Sequence, residues 1–294
     1  MPTHGRRRYG EPVEATVVLF PAGRTRASGR VLLARPAAGR WAVITDTTPF
    51  HPVDHTWPDQ PADRGTLAGL PVEDCVTGAI GPDGELRLGP DIPARRGDPG
   101  WTWVVVHLLA DSGAALPATG QEVELAVDED FRSGLSAAHT ACHLAALALN
   151  EATADLWRKE PPRRDCFGHP DLDGMAIERS AITPYRSVDE YRLGKSIRKR
   201  GLDTDALLGG LDALAGVVSA RLAGWIGSGA PVAIDTGGDS GVAARRTWTC
   251  ALPEGLASYP CGGTHAASLA QLPATTHVVY RPSESGFTAE TVVG

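Results

Sequence analysis

The sequence predicts an α+β protein in which a small N-terminal β-barrel precedes a two-layer α/β domain. Residues 12 to about 130 contain short β-prone runs separated by Pro, Gly and Asp, without a sustained helical period. Residues 133–158 have a different character, because they are rich in Ala and Leu and lack Gly and Pro after position 134. We therefore expect two domains, over residues 1–132 and 133–294.

The β-prone runs of the first domain lie at residues 13–20, 30–34, 41–46, 101–109 and 122–128. Their short length and the turn residues between them are typical of a small barrel or sandwich. In the second domain, residues 133–158 predict a helix that begins at Ser133 or Ser136, either of which can cap it. Residues 202–226 predict a second helix, and strand-like segments follow around Val232, Trp248 and Val278. Helices followed by strands indicate a two-layer domain.

Composition limits the classes of function. The 294 residues carry a net charge of −7, which argues against a protein that binds long nucleic acid along its backbone, so we expect no DNA partner. No apolar run approaches the roughly 18 residues of a membrane span, so we expect no membrane partner. The N-terminus shows no secretory signal and the five cysteines are scattered, which favours a cytoplasmic location. The sequence does not indicate an oligomeric state.

Two short motifs carry side chains that can bind a metal ion. His139 and His143 are four residues apart, so a helix places both imidazoles on one face. Cys261 and His265 add a thiolate and a third imidazole, and this Cys/His set is one that Zn²⁺ prefers. The alternative is that His139 and His143 are core histidines bonded to carbonyl groups. Because a partner motif exists, we favour zinc.

The pairing of HTxxH with a distant CGGTH resembles the zinc signature of the alanyl-tRNA synthetase editing-domain family, in particular its free-standing members. Residues 46–52 and 60–65 also resemble a stretch in the barrel that precedes the family's catalytic domain. The chain departs from the family at residues 53–59, where the family has a Gly-rich loop associated with substrate recognition, and at residues 161–184. The resemblance implies a zinc-dependent trans-editing hydrolase that binds the acceptor end of a mischarged aminoacyl-tRNA.

Several further residues are candidates for the site. Backbone N–H groups of Gly262 and Gly263 are candidates for stabilising an oxyanion, although the pair could also serve only a tight turn. Thr140 is a candidate for orienting a water or the substrate amine. His169 and Asp173 could line the substrate pocket, but such residues more often build turns. The cluster of Arg198, Lys199 and Arg200 is a candidate tRNA contact or an ordinary solvated face.

The family implies substrates charged with Ser, Gly or Ala, and in some members with Thr-like amino acids. The departures at residues 53–59 and 161–200 favour an unusual amino acid, such as fluorothreonine on tRNA-Thr.

Four protein ligands would also close a tetrahedral shell, which is typical of structural zinc. Two alternatives therefore remain, a metal-dependent hydrolase of a small ester or amide in secondary metabolism and a non-catalytic, zinc-stabilised RNA-binding module.

Overall fold

The computed structural model describes residues 13–37, 39–110, 113 and 115–294, and these residues form a mixed α+β structure in which strands predominate. The strands of the first half are β1 Val17–Val18, β2 Arg26–Ala37, β3 Arg40–Thr45, β4 Thr47–Thr48, β5 Gly65–Leu67, β6 Leu70–Ile80, β7 Leu86–Leu88, β8 Thr102–Ala110 and β9 Glu122–Val127. None of the described helices has the length and apolar character needed to cross a membrane.

The elements of the second half follow helix α1, which spans Glu129–Ala152. In chain order they are α2 Leu172–Ala176, β10 Ile177–Thr183, β11 Arg186–Arg192, α3 Lys195–Arg200, α4 Thr204–Gly209, α5 Leu211–Gly227, β12 Val232–Asp235, β13 Thr247–Leu252, β14 Gly255–Pro260, β15 His277–Pro282 and β16 Gly286–Val292.

The largest sheet is antiparallel and has the strand order β5-β9-β2-β3-β8-β6-β7. Strand β5 also pairs with β6, so the first and sixth strands of this row are hydrogen-bonded to each other. Val31, Val43, Val105 and Leu125 are among the side chains that meet in a core on one side of the sheet, where Phe50 joins them. The four predicted strand runs that start at residues 30, 41, 101 and 122 are confirmed, whereas the run 13–20 is a strand only at β1.

Helix α1 differs from its predicted bounds at both ends. It begins after Asp128, whose carboxylate accepts a hydrogen bond from the Phe131 N–H at 3.0 Å, so neither Ser133 nor Ser136 is the cap. An acidic cap also complements the positive end of the helix. The helix ends at Ala152, because the Thr153 hydroxyl donates to the Leu149 carbonyl and the chain turns into a short 3-10 helix.

The second half packs a four-stranded sheet, β10-β11-β16-β15, and a three-stranded sheet, β12-β13-β14, around α1 and α5. The predicted helix over 202–226 is divided into α4 and α5 at Gly209 and Gly210, where glycine weakens helix propagation. Strands near Val232, Trp248 and Val278 are confirmed as β12, β13 and β15. Strands β10 and β11 were not predicted, because their segment is interrupted by charged residues.

A segment of the second half reaches back to the first. Val17 forms an isolated bridge with Gly241, and the Val18 N–H donates to the Ser240 carbonyl at 2.8 Å. Val242 is buried in the core of the largest sheet. The two halves therefore share core residues, and the boundary at 132/133 stays a prediction.

Candidate metal centre

The four predicted metal ligands come together in space. His139 and His143 lie one turn apart on α1, and Cys261 and His265 follow β14. One ligand atom from each residue lies within 4.8 Å of the other three. The Cys261 Sγ is 3.4 Å from His139 Nε2 and 3.3 Å from His265 Nε2. These two separations suit neighbouring ligands of a tetrahedral zinc ion, which lie roughly 3.5 Å apart when bonds are about 2.0–2.3 Å.

Gln60 determines which nitrogen of His139 faces the cluster. The Gln60 Oε1 accepts a hydrogen bond from the Thr264 backbone N–H at 3.0 Å, and a backbone N–H can only donate. The same oxygen lies 2.8 Å from His139 Nδ1, so Nδ1 must carry the proton and donate. The lone pair of Nε2 is therefore directed to the cluster, as metal coordination requires. The resemblance points to the segment that contains Gln60, but not to this role.

Thr140 plays the corresponding part for His265. Its Oγ1 accepts a hydrogen bond from the Ala266 N–H at 3.0 Å and lies 3.2 Å from His265 Nδ1. For Nε2 to bind a metal, Nδ1 must carry the proton and donate it to Oγ1, which can accept this second hydrogen bond. Thr140 is fully buried, so the structure places it behind a ligand. These contacts give Thr140 a positioning role, and its catalytic role stays a prediction.

The two glycines of the CGGTH motif have different surroundings. A Cβ on Gly263 would lie 2.3 Å from His139 Cε1 and 2.7 Å from Gln60 Oε1, whereas a Cβ on Gly262 would meet nothing within 4 Å. The Gly263 N–H donates to Cys261 Sγ at 3.4 Å. Gly262 N–H makes no hydrogen bond to a described residue and lines the adjacent cleft. Among the described residues the Gly262 N–H is thus unengaged and the Gly263 N–H is not, and the role of both as oxyanion donors stays a prediction.

Burial sets the protonation states of the cluster. Desolvation lowers the pKa of His143 to about 3, and the pKa values of His139 and His265 fall well below the ordinary value for the same reason, with neighbouring imidazoles adding to the effect. All three rings are neutral at pH 7 and can donate a lone pair to a metal. Desolvation raises the pKa of the Cys261 thiol to about 12, so a metal binding there must displace a proton. The donor set fits zinc.

A cleft of about 920 Å³ opens beside the cluster, and His143 and Cys261 are among the residues that line it. Asp59 also lines the cleft, and its Oδ2 lies 3.6 Å from His139 Nε2. Burial raises the pKa of this carboxyl to about 6. Asp59 was not predicted as a site residue. Its position directly before Gln60 was the only sequence signal that could have identified it.

The unusual loop at residues 53–59 forms part of the cleft wall. Asp54 and Trp57 both line the cleft, and Trp57 is 43% exposed. The Asp54 carboxylate accepts hydrogen bonds from the Thr56 N–H and hydroxyl, and from Arg96 at 2.8 Å. Residues 53–59 are thus held in a defined conformation next to the metal ligands.

The other predicted substrate residues lie elsewhere, and among the described residues none of them lines this cleft. His169 lies in a turn, with Nδ1 3.6 Å from Asp165. Asp173 is buried and accepts a hydrogen bond from the Tyr191 hydroxyl at 2.8 Å. Their roles in substrate binding stay predictions.

The basic residues Arg198, Lys199 and Arg200 form the last turn of α3. The Lys199 carbonyl accepts a hydrogen bond from Lys159 Nζ at 3.3 Å, which brings a further positive charge to this surface. Contact between this cluster and tRNA stays a prediction.

Comparison of the chain with protein-family models gives no match, and comparison with curated proteins gives none. The functional interpretation therefore depends on the residues and their geometry.

Proposed function

We propose that the protein is a zinc-dependent hydrolase that cleaves the ester bond of a mischarged aminoacyl-tRNA. One observation carries this proposal: four ligands from two distant motifs meet beside an open cleft. Because His143 and Cys261 themselves line that cleft, a substrate can approach the ligands. This access favours a catalytic centre over a closed structural one. The aminoacyl-tRNA substrate in this proposal comes from the resemblance of the chain to the free-standing alanyl-tRNA synthetase editing proteins.

The first half of the chain fits the same proposal. The pairing between the first and sixth strands of its seven-stranded sheet supports the small β-barrel expected before the catalytic domain. Residues 49–63 connect β4 to β5 and carry Asp59 and Gln60 to the metal ligands. The first half would thus supply part of the catalytic centre itself.

Zinc held by His139, His143, Cys261 and His265 would polarise the ester carbonyl or activate a water molecule. The chain's own groups have separate tasks in the proposal. The Asp59 carboxylate faces the cleft, where it would hold the substrate ammonium group or accept the proton of the attacking water. The N–H of Gly262 would donate to the developing oxyanion.

The amino-acid specificity is proposed to reside in the loop at residues 53–59. Trp57 presents a partly exposed indole at the cleft, and Asp54 is fixed there by its bond to Arg96. An aromatic wall suits the side chain of a Thr-like amino acid, including fluorothreonine, better than it suits glycine. Hydrolysis of a Thr-like ester is therefore compared with hydrolysis of the serine, glycine and alanine esters of tRNA.

The test is deacylation of labelled aminoacyl-tRNAs carrying Ala, Ser, Gly, Thr or fluorothreonine by the zinc-loaded protein. We expect selective release of one amino acid and a loss of at least ~100-fold in H139A, since zinc catalysis requires its ligands. H277A is the matched control, because His277 is exposed on β15 and lies outside the cleft lining. It should retain wild-type activity.

Stability of every aminoacyl ester in the presence of bound zinc would contradict the proposal. Hydrolysis of small esters or amides by the same preparation would then favour the small-molecule hydrolase. Binding of tRNA without any hydrolysis would favour the non-catalytic RNA-binding module.

A further inference from the structure

Arg246 is a buried arginine on the cleft, directly before β13. Only 7% of its surface is exposed. Its Nη2 donates to the Gly241 carbonyl at 2.6 Å and its Nη1 donates to the Val242 carbonyl at 3.4 Å. Its Cζ lies 5.0 Å from the ring centroid of Phe20. These contacts fix the position of the guanidinium but leave its charge uncompensated.

No carboxylate of the described residues lies within ion-pair distance of Arg246, and its Nε has no hydrogen-bond partner among them. Of the described residues, Arg132 is the other buried arginine, and its guanidinium is paired with the Asp63 carboxylate. A buried charge without a counter-ion is costly, so an anionic ligand that pairs with Arg246 would be stabilised there.

The surrounding charges do not neutralise Arg246. Asp54 is within electrostatic range, but its carboxylate is bonded to Arg96. Asp239 is also in range, and its Oδ1 accepts the Gly241 N–H. Arg245 adds an exposed positive charge to the same cleft. The cleft lining thus combines three arginines, Arg96, Arg245 and Arg246, with three aspartates, Asp54, Asp59 and Asp239, and none of these carboxylates forms an ion pair with Arg246.

The guanidinium keeps its charge at neutral pH. Burial lowers the pKa of Arg246 to about 10, and the nearby Arg96 contributes in the same direction. The residue is therefore protonated at pH 7.

Arg246 is also connected to the metal ligands. The Cys261 N–H donates to the Arg246 carbonyl at 3.1 Å, so the backbone that carries Arg246 lies directly beside the backbone that carries a ligand. Both residues line the same cleft. A group bound by Arg246 would consequently belong to a molecule that also reaches the metal centre.

We propose that Arg246, assisted by Arg245, is a phosphate subsite that binds the phosphodiester on the 5′ side of the terminal adenosine of the substrate RNA. A guanidinium presents paired donors that match phosphate oxygens. The identity of this phosphate rests on the proposed function, whereas the existence of the subsite does not. The subsite would hold the end of the RNA while its ester lies at the zinc ligands.

The experiment compares the binding of adenosine 5′-monophosphate and of adenosine to the zinc-loaded protein by calorimetry. These probes differ only in the phosphate. We expect the monophosphate to bind the wild type at least ~10-fold more tightly, and R246M to lose this preference. R246K keeps the charge but not the paired donors, so it should retain only part of the preference. R26M is the control, because Arg26 is exposed and paired with Glu129.

Equal affinity for the two probes in the wild type would overturn the subsite, as would an unchanged preference in a folded R246M protein. Circular dichroism and zinc content establish folding, and R246K decides the outcome if R246M does not fold. Competition by inorganic phosphate separates recognition of the phosphate from recognition of the nucleoside. If all aminoacyl esters prove stable while R246M loses the preference, the proposed function fails and the subsite stands.

Discussion

The geometry of the metal centre depends on residues that do not themselves bind the metal. Gln60 fixes the tautomer of His139, and Thr140 engages the outer nitrogen of His265. Gly263 allows the ligand-bearing loop to approach His139 more closely than any side chain would permit. Such supporting contacts typically change metal affinity by about 10- to 100-fold when they are lost.

Gly263→Ala should therefore weaken zinc binding by at least ~10-fold, because the new methyl group would displace His139 or Gln60. Gly262→Ala is the matched control, since a Cβ there has open space and zinc affinity should stay within about threefold. Titration of both variants against a competing chelator measures the difference. Equal affinities would show that Gly263 is needed only for the turn.

The four ligands could be predicted from the sequence, because two four-residue spacings of His and Cys in one chain are typical of a metal site. Asp59 and Arg246 could not be predicted in the same way. Both residues are singled out by their burial and by the cleft that they share. The local sequence shows neither property, because it contains only an Asp before Gln60 and an Arg next to Arg245.

At the scale of elements, α1 acts as the frame of the site. It carries His139, His143 and Thr140, and its first turns also hold Arg132. The Arg132 Nε donates to Asp63 Oδ1 at 2.7 Å, and its Nη2 donates to the Pro49 carbonyl. This buried ion pair ties the segment that contains Asp59 and Gln60 to the helix.

Arg132→Met should lower Tm by more than ~5 °C, because it leaves the Asp63 carboxylate buried without its partner. The control is Arg64→Met, which removes an exposed ion pair with Asp128 near the same helix end and should change Tm by less than ~2 °C. Thermal unfolding followed by circular dichroism tests both variants. Similar small shifts in the two proteins would contradict the role given to the buried pair.

The existence of α1 was predictable from its Ala- and Leu-rich composition, but its bounds were not. A serine cap at 133 or 136 was reasonable by local propensity, yet Asp128 caps the helix because β9 ends directly before it. Similarly, β10 and β11 are stabilised by their pairing with each other and with β16. Such distant pairing overrides local sequence preference.

At the scale of the whole molecule, a buried carboxyl group makes stability depend on pH. Burial raises the pKa of Asp189 to about 7, well above the ordinary value of 3.8. As the pH rises, the Asp189 carboxyl therefore loses its proton in the unfolded chain before it does so in the folded protein. Asp189 thus contributes stability that is fully present below about pH 4 and is lost as the pH rises to about 7.

Asp189→Asn should remove this contribution to the pH dependence. Between pH 4 and pH 7 the Tm of the wild type should fall relative to that of D189N, because asparagine does not titrate. Glu190→Gln is the control, since the neighbouring Glu190 is about half exposed and paired with Arg179. Tm measured at several pH values provides the comparison, and parallel profiles for the wild type and D189N would contradict the assignment.

The link between the two halves has a consequence for how the chain folds. Val242 completes a core built mainly from residues between Val18 and Val127, and Arg246 lies against Phe20. The core of the first half therefore remains unfinished until a segment more than 100 residues further along the chain has docked. Contacts between such distant residues form slowly because closing the long intervening loop costs entropy before the contact is made. Unfolding should accordingly be cooperative across both halves, and a protease cut between them should yield two fragments that stay associated.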